Sequence, residues 1–229
     1  MIMSGRRKGQ ESAAKIISAA RKLFATKGYA NASLDDIAAL AGFTKGAVYH
    51  FFGSKEELLM SLLRDIEDRS IGRTSRELAD MQGTAMDKLL RFKTLQAEWA
   101  GRNANDLAIL VRMSIESANR KSAVREQVLH IYARMEQVLT GIVEEGKASG
   151  EFRADLPVHD VVTWMISVHD GNMLLWHRSG RDKDVGRRLT LASMQAARMA
   201  VCIGPMDMLG EHGEPVAAVE GAGGEASSE

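Results

Sequence analysis

The chain has 229 residues, of which 45% are apolar and 26% charged, a composition typical of globular proteins with one or two domains. Its single cysteine, Cys202, excludes an intramolecular disulfide framework and a cysteine-based zinc cage. No run approaches the ~18 apolar residues of a membrane span, and no hydrophobic segment follows the basic N-terminus. We therefore expect a soluble, cytoplasmic protein without a secretory signal.

Thirty basic and thirty acidic residues cancel over the whole chain, but they are unevenly distributed. Residues 1–53 contain eight Lys and Arg against three Asp and Glu, whereas the remaining residues contain 22 against 27. A basic head on an acidic body is typical of a protein that docks on a polyanion. A chance fluctuation of surface charge would give the same counts.

The apolar residues recur with the 3.6-residue period of helices almost everywhere, and the chain has three prolines. The pattern predicts an all-α protein of about nine helices, over residues 10–27, 34–41, 45–52, 54–80, 84–100, 104–118, 122–148, 157–178 and 184–203. Residues 204–229 contain six acids, six glycines and no Lys or Arg. We expect this acidic tail to be disordered, because it has too little apolar surface to offset its ordering entropy.

The second and third predicted helices are short and separated by a tight turn. Ser33 and Asp36 have the spacing of a capping box, Gly42 can adopt the positive φ of the turn, and Thr44 is the next N-cap. A second capping box, Ser54 with Glu57, opens the longer fourth helix. A packing helix, a short helix, a glycine turn and another short helix form the helix-turn-helix arrangement.

The third helix has the composition of a helix that approaches DNA. We expect it to present Lys45, Gly46, Tyr49 and His50 outward and to fold Val48, Phe51 and Phe52 back on the first two helices. Gly46 costs about 1 kcal/mol in a helix, which makes sense where the backbone must come close to a partner. Lys45 suits a guanine edge or a phosphate. Lys55 lies beside the free N–H groups that open the fourth helix, where an anion would offset its unfavourable interaction with the helix dipole.

Residues 10–60 resemble the DNA-binding head of the TetR family of bacterial transcriptional regulators. The matching string comprises Ala19, Ala20, Leu23, Phe24, Gly28, Tyr29, Ser33, Ile37, Ala38, Ala41, Gly42, Thr44, Gly46, Tyr49, His50, Phe52, Ser54, Lys55 and Leu58. Two positions depart from the usual pattern: Phe43 replaces a smaller aliphatic residue and Phe51 a polar aromatic one. We expect these departures to alter packing or the approach to DNA, not the family.

The resemblance implies a DNA-binding set made of Thr44, Lys45, Gly46, Tyr49 and His50, with Ser33 and Lys55 on phosphates. Tyr49 could instead lie partly in the core, and Ser33 could be only a helix cap. Arg6, Arg7 and Lys8 would form either an arm in the minor groove or on phosphates, or a solvated terminus. The resemblance also implies a homodimer that represses transcription from a palindromic operator and is released by a small organic effector. The alternatives are an activator or ligand-dependent DNA binder of the same family, or a helical ligand-binding protein without DNA affinity.

The expected organisation is a flexible basic arm (1–9), a helix-turn-helix domain (10–53), a ligand-binding and dimerisation domain (54–203) and the acidic tail (204–229). Similarity to the family, whose last two helices form the dimer interface, assigns that role to Trp164, Val168, Leu175, Trp176, Leu189, Ala192, Ala196 and Met199. Small residues one turn apart permit close helix packing. The same apolar stripes could instead belong to the core of one subunit.

The body is rich in methionine and large aromatic side chains, which adapt to irregular apolar or amphipathic ligands. The residues expected in a ligand pocket are Phe92, Trp99, Met113, Met135, Met165, His169, Asp170 and Met173, although each methionine also suits a core. His169, Asp170 and Asn172 interrupt an apolar helix, where an unpaired polar group would cost roughly 1–3 kcal/mol. They must be satisfied by a second subunit, a neighbouring helix or a ligand.

Catalysis is not expected. The six histidines lack metal-binding spacing, Cys202 has no evident histidine partner, and no phosphate-binding glycine loop follows a strand. We therefore expect neither a metal nor a cofactor, and the partners are double-stranded DNA, a small effector and a second copy of the chain.

Overall fold

The computed structural model describes residues 2–202, with side chains for residue 7 and residues 9–202. These residues form ten α-helices and one π-helical segment, and they contain no strand. The helices are α1 (Ile2–Lys27), α2 (Leu34–Ala41), α3 (Lys45–Phe52), α4 (Lys55–Glu67), α5 (Arg73–Ala79), α6 (Ala85–Arg102), α7 (Ala104–Glu116), α8 (Ala123–Ala148), α9 (Val158–Arg178) and α10 (Lys183–Cys202). The π-helical segment (Asp68–Gly72) joins α4 to α5 without a break, so these three elements form the single long helix predicted over residues 54–80. The predicted all-α class is confirmed.

Two predicted segments differ from the structure or lie beyond it. Helix α1 begins at Ile2, so residues 2–9 of the predicted basic arm are helical, and a pair between Arg7 and Glu11 one turn apart (3.3 Å) supports this part of the helix. The predicted acidic tail, residues 204–229, lies outside the described residues.

Side chains at the helix starts satisfy the backbone N–H groups that a helix leaves free. The hydroxyls of Ser33, Thr44 and Ser54 accept from the N–H groups of the third residue of α2, α3 and α4. These three caps confirm the predicted starts. Thr84 and Asp87 form a full capping box at α6.

The first hydrophobic core joins the N-terminal head to the body. It contains Ile16, Phe24, Ile37 and Val48 from α1–α3, together with Ile109 and Met113 from α7 and Val124 and Val128 from α8. Helix α4 lies inside this core, since Leu58, Leu59, Leu62, Leu63 and Ile66 are fully buried. The head and the body are therefore not packed as separate units at residue 53.

A cluster of four charged side chains connects the same elements. Asp106, at the start of α7 and only 1% exposed, accepts from Arg21 Nε of α1 at 2.6 Å and from Arg69 Nη2 of the π-helical segment at 2.7 Å. Asp65 of α4 pairs with the same two arginines. Charge-assisted bonds of this kind fix geometry more strongly than neutral ones.

The second core fills the body and is closed by the loop after α8. Phe152 packs directly on Gly146, where an added Cβ would lie 2.3 Å from the ring. Glu151 accepts from the free N–H groups of Ala85 and Met86 at the start of α6, and the Arg153 N–H donates to the carbonyl of Val201 near the end of α10. The loop therefore sets the positions of α6 and α10. No helix among residues 2–202 is long and apolar enough to cross a membrane.

We predict that Asp106→Asn lowers the free energy of unfolding by about 2–4 kcal/mol, because it leaves two partly buried arginines without a buried counter-ion. Urea unfolding at fixed protein concentration measures the loss. Glu11→Gln, which removes a fully solvated pair, should change stability by less than about 0.5 kcal/mol. Equal effects of the two variants would contradict a structural role for the cluster.

Candidate nucleic-acid interface and ligand cavity

The turn between α2 and α3 is built around Gly42, whose φ of 76° lies in the left-handed region. Its N–H and that of Phe43 donate to carbonyls at the end of α2, which closes the helix and redirects the chain into α3. Val48 is fully buried against the first two helices, and Phe52 is half-buried in the same core. These contacts fix the orientation of α3.

The outward side of α3 carries the residues predicted to face DNA: Thr44, Lys45, Gly46, Tyr49 and His50 are all exposed. Tyr49 is 48% exposed, so it is not a core residue. An added Cβ on Gly46 would meet only the Thr44 hydroxyl, at 3.9 Å, so packing does not require glycine there. Phe51, expected to fold back, is instead 36% exposed and lies edge-on to the His50 ring.

The charged groups beside α3 are held by exposed ion pairs. Lys45 Nζ lies 2.8 Å from Asp35 of α2, and this hydrogen bond raises the pKa of Lys45. Lys27 pairs with Asp36 at 3.0 Å, which lowers the pKa of that carboxyl. Because exposed pairs of this kind are worth little, a phosphate can replace the carboxylate partner of Lys45 at small cost.

Lys55 occupies a position that the sequence did not indicate. Its ammonium donates to the carbonyls of Tyr29 and Ala32 at 2.9 and 3.1 Å, and lies 4.5 Å from the centre of the Tyr29 ring. These contacts hold the loop between α1 and α2 against the start of α4. Ser33, the other residue expected on a phosphate, is exposed and caps α2.

A cavity of about 460 Å³ lies between α6, α9 and α10, with a floor from α7 and α8. Its apolar lining includes Phe92, Leu107, Leu139, Met165, Met173 and Trp176. The volume falls within the ~300–1,000 Å³ typical of small-molecule sites. Helix α10 closes one side through both polar residues, such as Thr190 and Ser193, and apolar ones, such as Leu189 and Met194.

Four of the eight residues predicted for a pocket line this cavity: Phe92, Met165, His169 and Met173. Met113 is buried in the first core, Met135 in the second, and Trp99 packs against the first core. Asp170 faces Tyr132, whose hydroxyl donates to it at 3.2 Å. Methionine content could not separate these groups, because it carries no information about which helix face meets which neighbour.

The sequence analysis missed Lys93, Leu107 and Leu139 as lining residues. Leu107 and Leu139 have the sequence pattern of core residues, and Lys93 lies among the charged residues of an amphipathic helix, so the pattern did not indicate a cavity for any of them. Trp176 and Leu189, which the sequence predicts for a dimer interface, line the cavity of this chain.

The remaining residues proposed for a dimer interface lie on the outer side of α9 and α10. Leu175 and Met199 are about half exposed, Ala192 and Ala196 are exposed, and Trp164 and Val168 are partly buried. Gly171 on α9 has open space beside its Cα. Trp164 packs against the second core, whereas Leu175, Ala192, Ala196 and Met199 are left uncovered by the described part of the chain; these four residues are the outer apolar surface of α9 and α10.

Two adjacent titratable groups on α9 are shifted in opposite senses. Burial, with a smaller contribution from the charge of Lys93, lowers the pKa of His169 to about 4, so its imidazole is neutral at pH 7. Burial raises the pKa of Asp170 to about 6, against the opposing hydrogen bond from Tyr132. The pKa of the Tyr132 hydroxyl is raised by burial and by the charge of Asp170.

Comparison with known proteins gives consistent results over both parts of the chain. Residues 16–62 match the family described as bacterial regulatory proteins, tetR family, and residues 109–189 match the tetracyclin repressor-like, C-terminal domain. The fatty acid metabolism regulator protein of Bacillus subtilis is 26% identical over 171 residues, covering 75% of this chain and 86% of that protein. The regulator TtgR of Pseudomonas putida is 29% identical over 164 residues, 68% of this chain and 77% of its own. The crystal structure of the MbdR regulator from Azoarcus sp. CIB superposes with a TM-score of 0.74 at 26% identity, covering 84% of this chain and all of that one.

The opposed pKa shifts of His169 and Asp170 on α9 predict how stability depends on pH. Between about pH 6.5 and 4 the unfolded chain binds the His169 proton and the folded chain does not, so stability falls as pH falls. Between about pH 6 and 4 the folded chain binds the Asp170 proton and the unfolded chain does not, so stability rises as pH falls. The two contributions oppose each other in the wild type.

We therefore predict that Asp170→Asn makes the loss of stability on acidification from pH 6 to pH 4 steeper, and that His169→Gln makes it shallower. Urea unfolding across this pH range gives the profiles. His159→Gln, at an exposed position on the same helix, should leave the profile unchanged. Parallel profiles for all four proteins would contradict the assignment.

Proposed function

The chain belongs to the TetR family of bacterial transcriptional regulators, and we propose that it binds a palindromic operator as a homodimer and leaves it when a small organic effector fills the cavity. The observation that carries the proposal is the exposed outer face of α3, which presents Thr44, Lys45, Gly46, Tyr49 and His50 together. Such a face, held by a buried Val48 on the opposite side, is what a helix needs in order to enter the major groove.

A homodimer supplies the specificity that one copy lacks. Helix α3 has eight residues, about two turns, and reaches few base pairs. Two copies related by a twofold axis double the contacts and explain a palindromic site. The outer apolar surface of α9 and α10, which includes Leu175, Ala192, Ala196 and Met199, is the surface we propose for the second subunit.

The cavity has two physical connections to the head. Gln96 lines the cavity and donates to the Thr74 hydroxyl of α5 at 2.8 Å, and α5 continues through the π-helical segment into α4. Leu107 lines the floor, and the preceding residue, Asp106, holds Arg21 of α1. An effector that displaces α6 or α7 therefore acts on elements that position α3, and a ligand that favours the displaced state lowers operator affinity. The apolar lining favours an apolar or amphipathic effector.

Selection of random DNA duplexes by the purified full-length protein at about 150 mM salt tests the proposal. We predict recovery of an inverted repeat whose half-sites lie about one helical turn, or a multiple of it, apart. For that repeat, log K should fall linearly with log salt, and Lys45→Ala should reduce the slope by about one because one phosphate contact is lost. Selection of no inverted repeat would contradict the proposal and favour its alternatives, a ligand-dependent DNA binder of the same family or a helical ligand-binding protein without DNA affinity.

A substitution at Gly46 tests whether this glycine is needed for the fold or for DNA binding. Because the space around it is open, we predict that Gly46→Leu raises the free energy of unfolding by about 0.5–1 kcal/mol through helix propensity. The same variant should weaken binding to the selected repeat by about tenfold or more, because its side chain holds the helix away from the bases. Thermal unfolding and DNA titration give the two readings. Ala39→Leu, at an exposed position on α2, is the control for an added side chain. Unchanged affinity for Gly46→Leu would place the DNA elsewhere.

A further inference from the structure

The charges in the cavity wall indicate the kind of effector that the cavity takes, an inference that rests on the proposed function of the cavity. Lys93, Lys183, Arg187 and Glu98 are the residues with permanent charges in its lining. Glu98 already bonds Arg102 at 2.7 Å, and Arg187 lies at the exposed rim, 4.0 Å from Asp184. The wall therefore carries an excess of positive charge.

Lys93 is the distinctive member of this set. It lies on α6 within the wall, and burial lowers the pKa of its ammonium. Among the described residues, no carboxylate pairs with it and no acceptor lies within hydrogen-bond distance. Lys93 is partly buried, so its ammonium has lost part of its solvation without gaining a counter-ion, and an anion that joins it offsets this loss.

The neighbours of Lys93 suit one end of an amphipathic molecule. His169, close enough for its pKa to respond to the charge of Lys93, is a neutral imidazole at pH 7 and can donate one hydrogen bond. Leu107, Leu139 and Met165 form the apolar floor of the same cavity. The cavity thus combines an apolar floor with a cationic group and a hydrogen-bond donor.

We propose that the effector is an amphipathic anion, whose apolar body lies on the floor of the cavity and whose carboxylate or phosphate pairs with Lys93. A cation of similar size is disfavoured by the same ammonium. The chemistry of the negative group and the shape of the body are separate variables, so the test uses probes that differ in one of them at a time.

Calorimetric titration without DNA compares dodecanoate, dodecyl phosphate, dodecanol and dodecyltrimethylammonium below their micelle-forming concentrations, and 2-naphthoate with 2-naphthol. We expect at least one anion to bind about tenfold or more tightly than the neutral compound with the same body, and the cation to bind less well than either. Dodecanoate against dodecyl phosphate distinguishes a carboxylate from a phosphate. Binding of the neutral compounds as tightly as the anions, or of none of the anions, would overturn the proposal.

Variants at Lys93 test whether its ammonium is the group that pairs with the bound anion. Lys93→Met should remove the preference for the anion while retaining binding of the neutral compound. Lys93→Arg, which keeps the positive charge, should retain the preference. Without ligand, Lys93→Met should raise the melting temperature by about 2 °C, because it removes an unpaired, partly buried charge. Lys121→Met, at an exposed position outside the cavity lining, is the control with little effect on either measurement. An unchanged anion preference in Lys93→Met, or a fall in its melting temperature, would contradict the role of Lys93.

The two proposals fail in different experiments. Because the titrations contain no DNA, a protein that selects no operator but binds the anions refutes only the regulator function. A protein that selects an inverted repeat but does not distinguish an anion from its neutral counterpart refutes only the anionic effector.

Discussion

The position of the head relative to the body depends on the buried carboxylate of Asp106. Asp106 is the third residue of α7, and the residue after it, Leu107, forms part of the cavity floor. Its carboxylate accepts hydrogen bonds from arginines of α1 and of the π-helical segment. A carboxylate that is 1% exposed must keep its partners, because burying it alone would cost several kcal/mol. A shift of α7 therefore moves Arg21 and Arg69 with it or breaks a costly bond. This constraint turns a small displacement at the cavity into a displacement of the head.

The hydrophobic packing has the same consequence. Helix α4 supplies five fully buried side chains to a core that also contains residues of α1, α2, α7 and α8. A head with a separate core could rotate freely about its linker, whereas this head is packed on the body through α4 and α7. The π-helical segment, in which the Ser70 hydroxyl donates to the carbonyl of Ile66, is the irregular part of the long helix between the two. Close-packed interfaces shift between discrete arrangements, so the proposed release from DNA requires repacking here.

The sequence predicted the head more completely than the cavity, and the reason is physical. Caps and turns depend on residues three or four apart, so Ser33, Gly42, Thr44 and Ser54 could be interpreted before any tertiary contact was known. The cavity depends on which faces of α6, α9 and α10 meet, and periodicity does not specify the neighbour of a face. Met113 and Met165 therefore looked equivalent, yet Met113 lies in the first core away from the cavity, whereas Met165 belongs to the second core and also lines the cavity. The contacts of Lys55 could not be predicted from neighbouring residues either, because its partners are carbonyls more than twenty residues away.

Helix α10 links the two proposed binding events because neighbouring faces of the helix serve different surfaces. Leu189 and Ser193 line the cavity, whereas Ala192, Ala196 and Met199 lie on the outer apolar surface. A helix moves as a rigid unit, so an anion that draws Lys93 and the facing residues of α10 to new positions also changes the surface offered to the second subunit. By thermodynamic linkage, any effect of the effector on the operator-bound arrangement of the dimer is matched by an equal effect of the operator on effector affinity. The operator and the effector would then oppose each other's binding through the position of α10 against α6, without contacting each other.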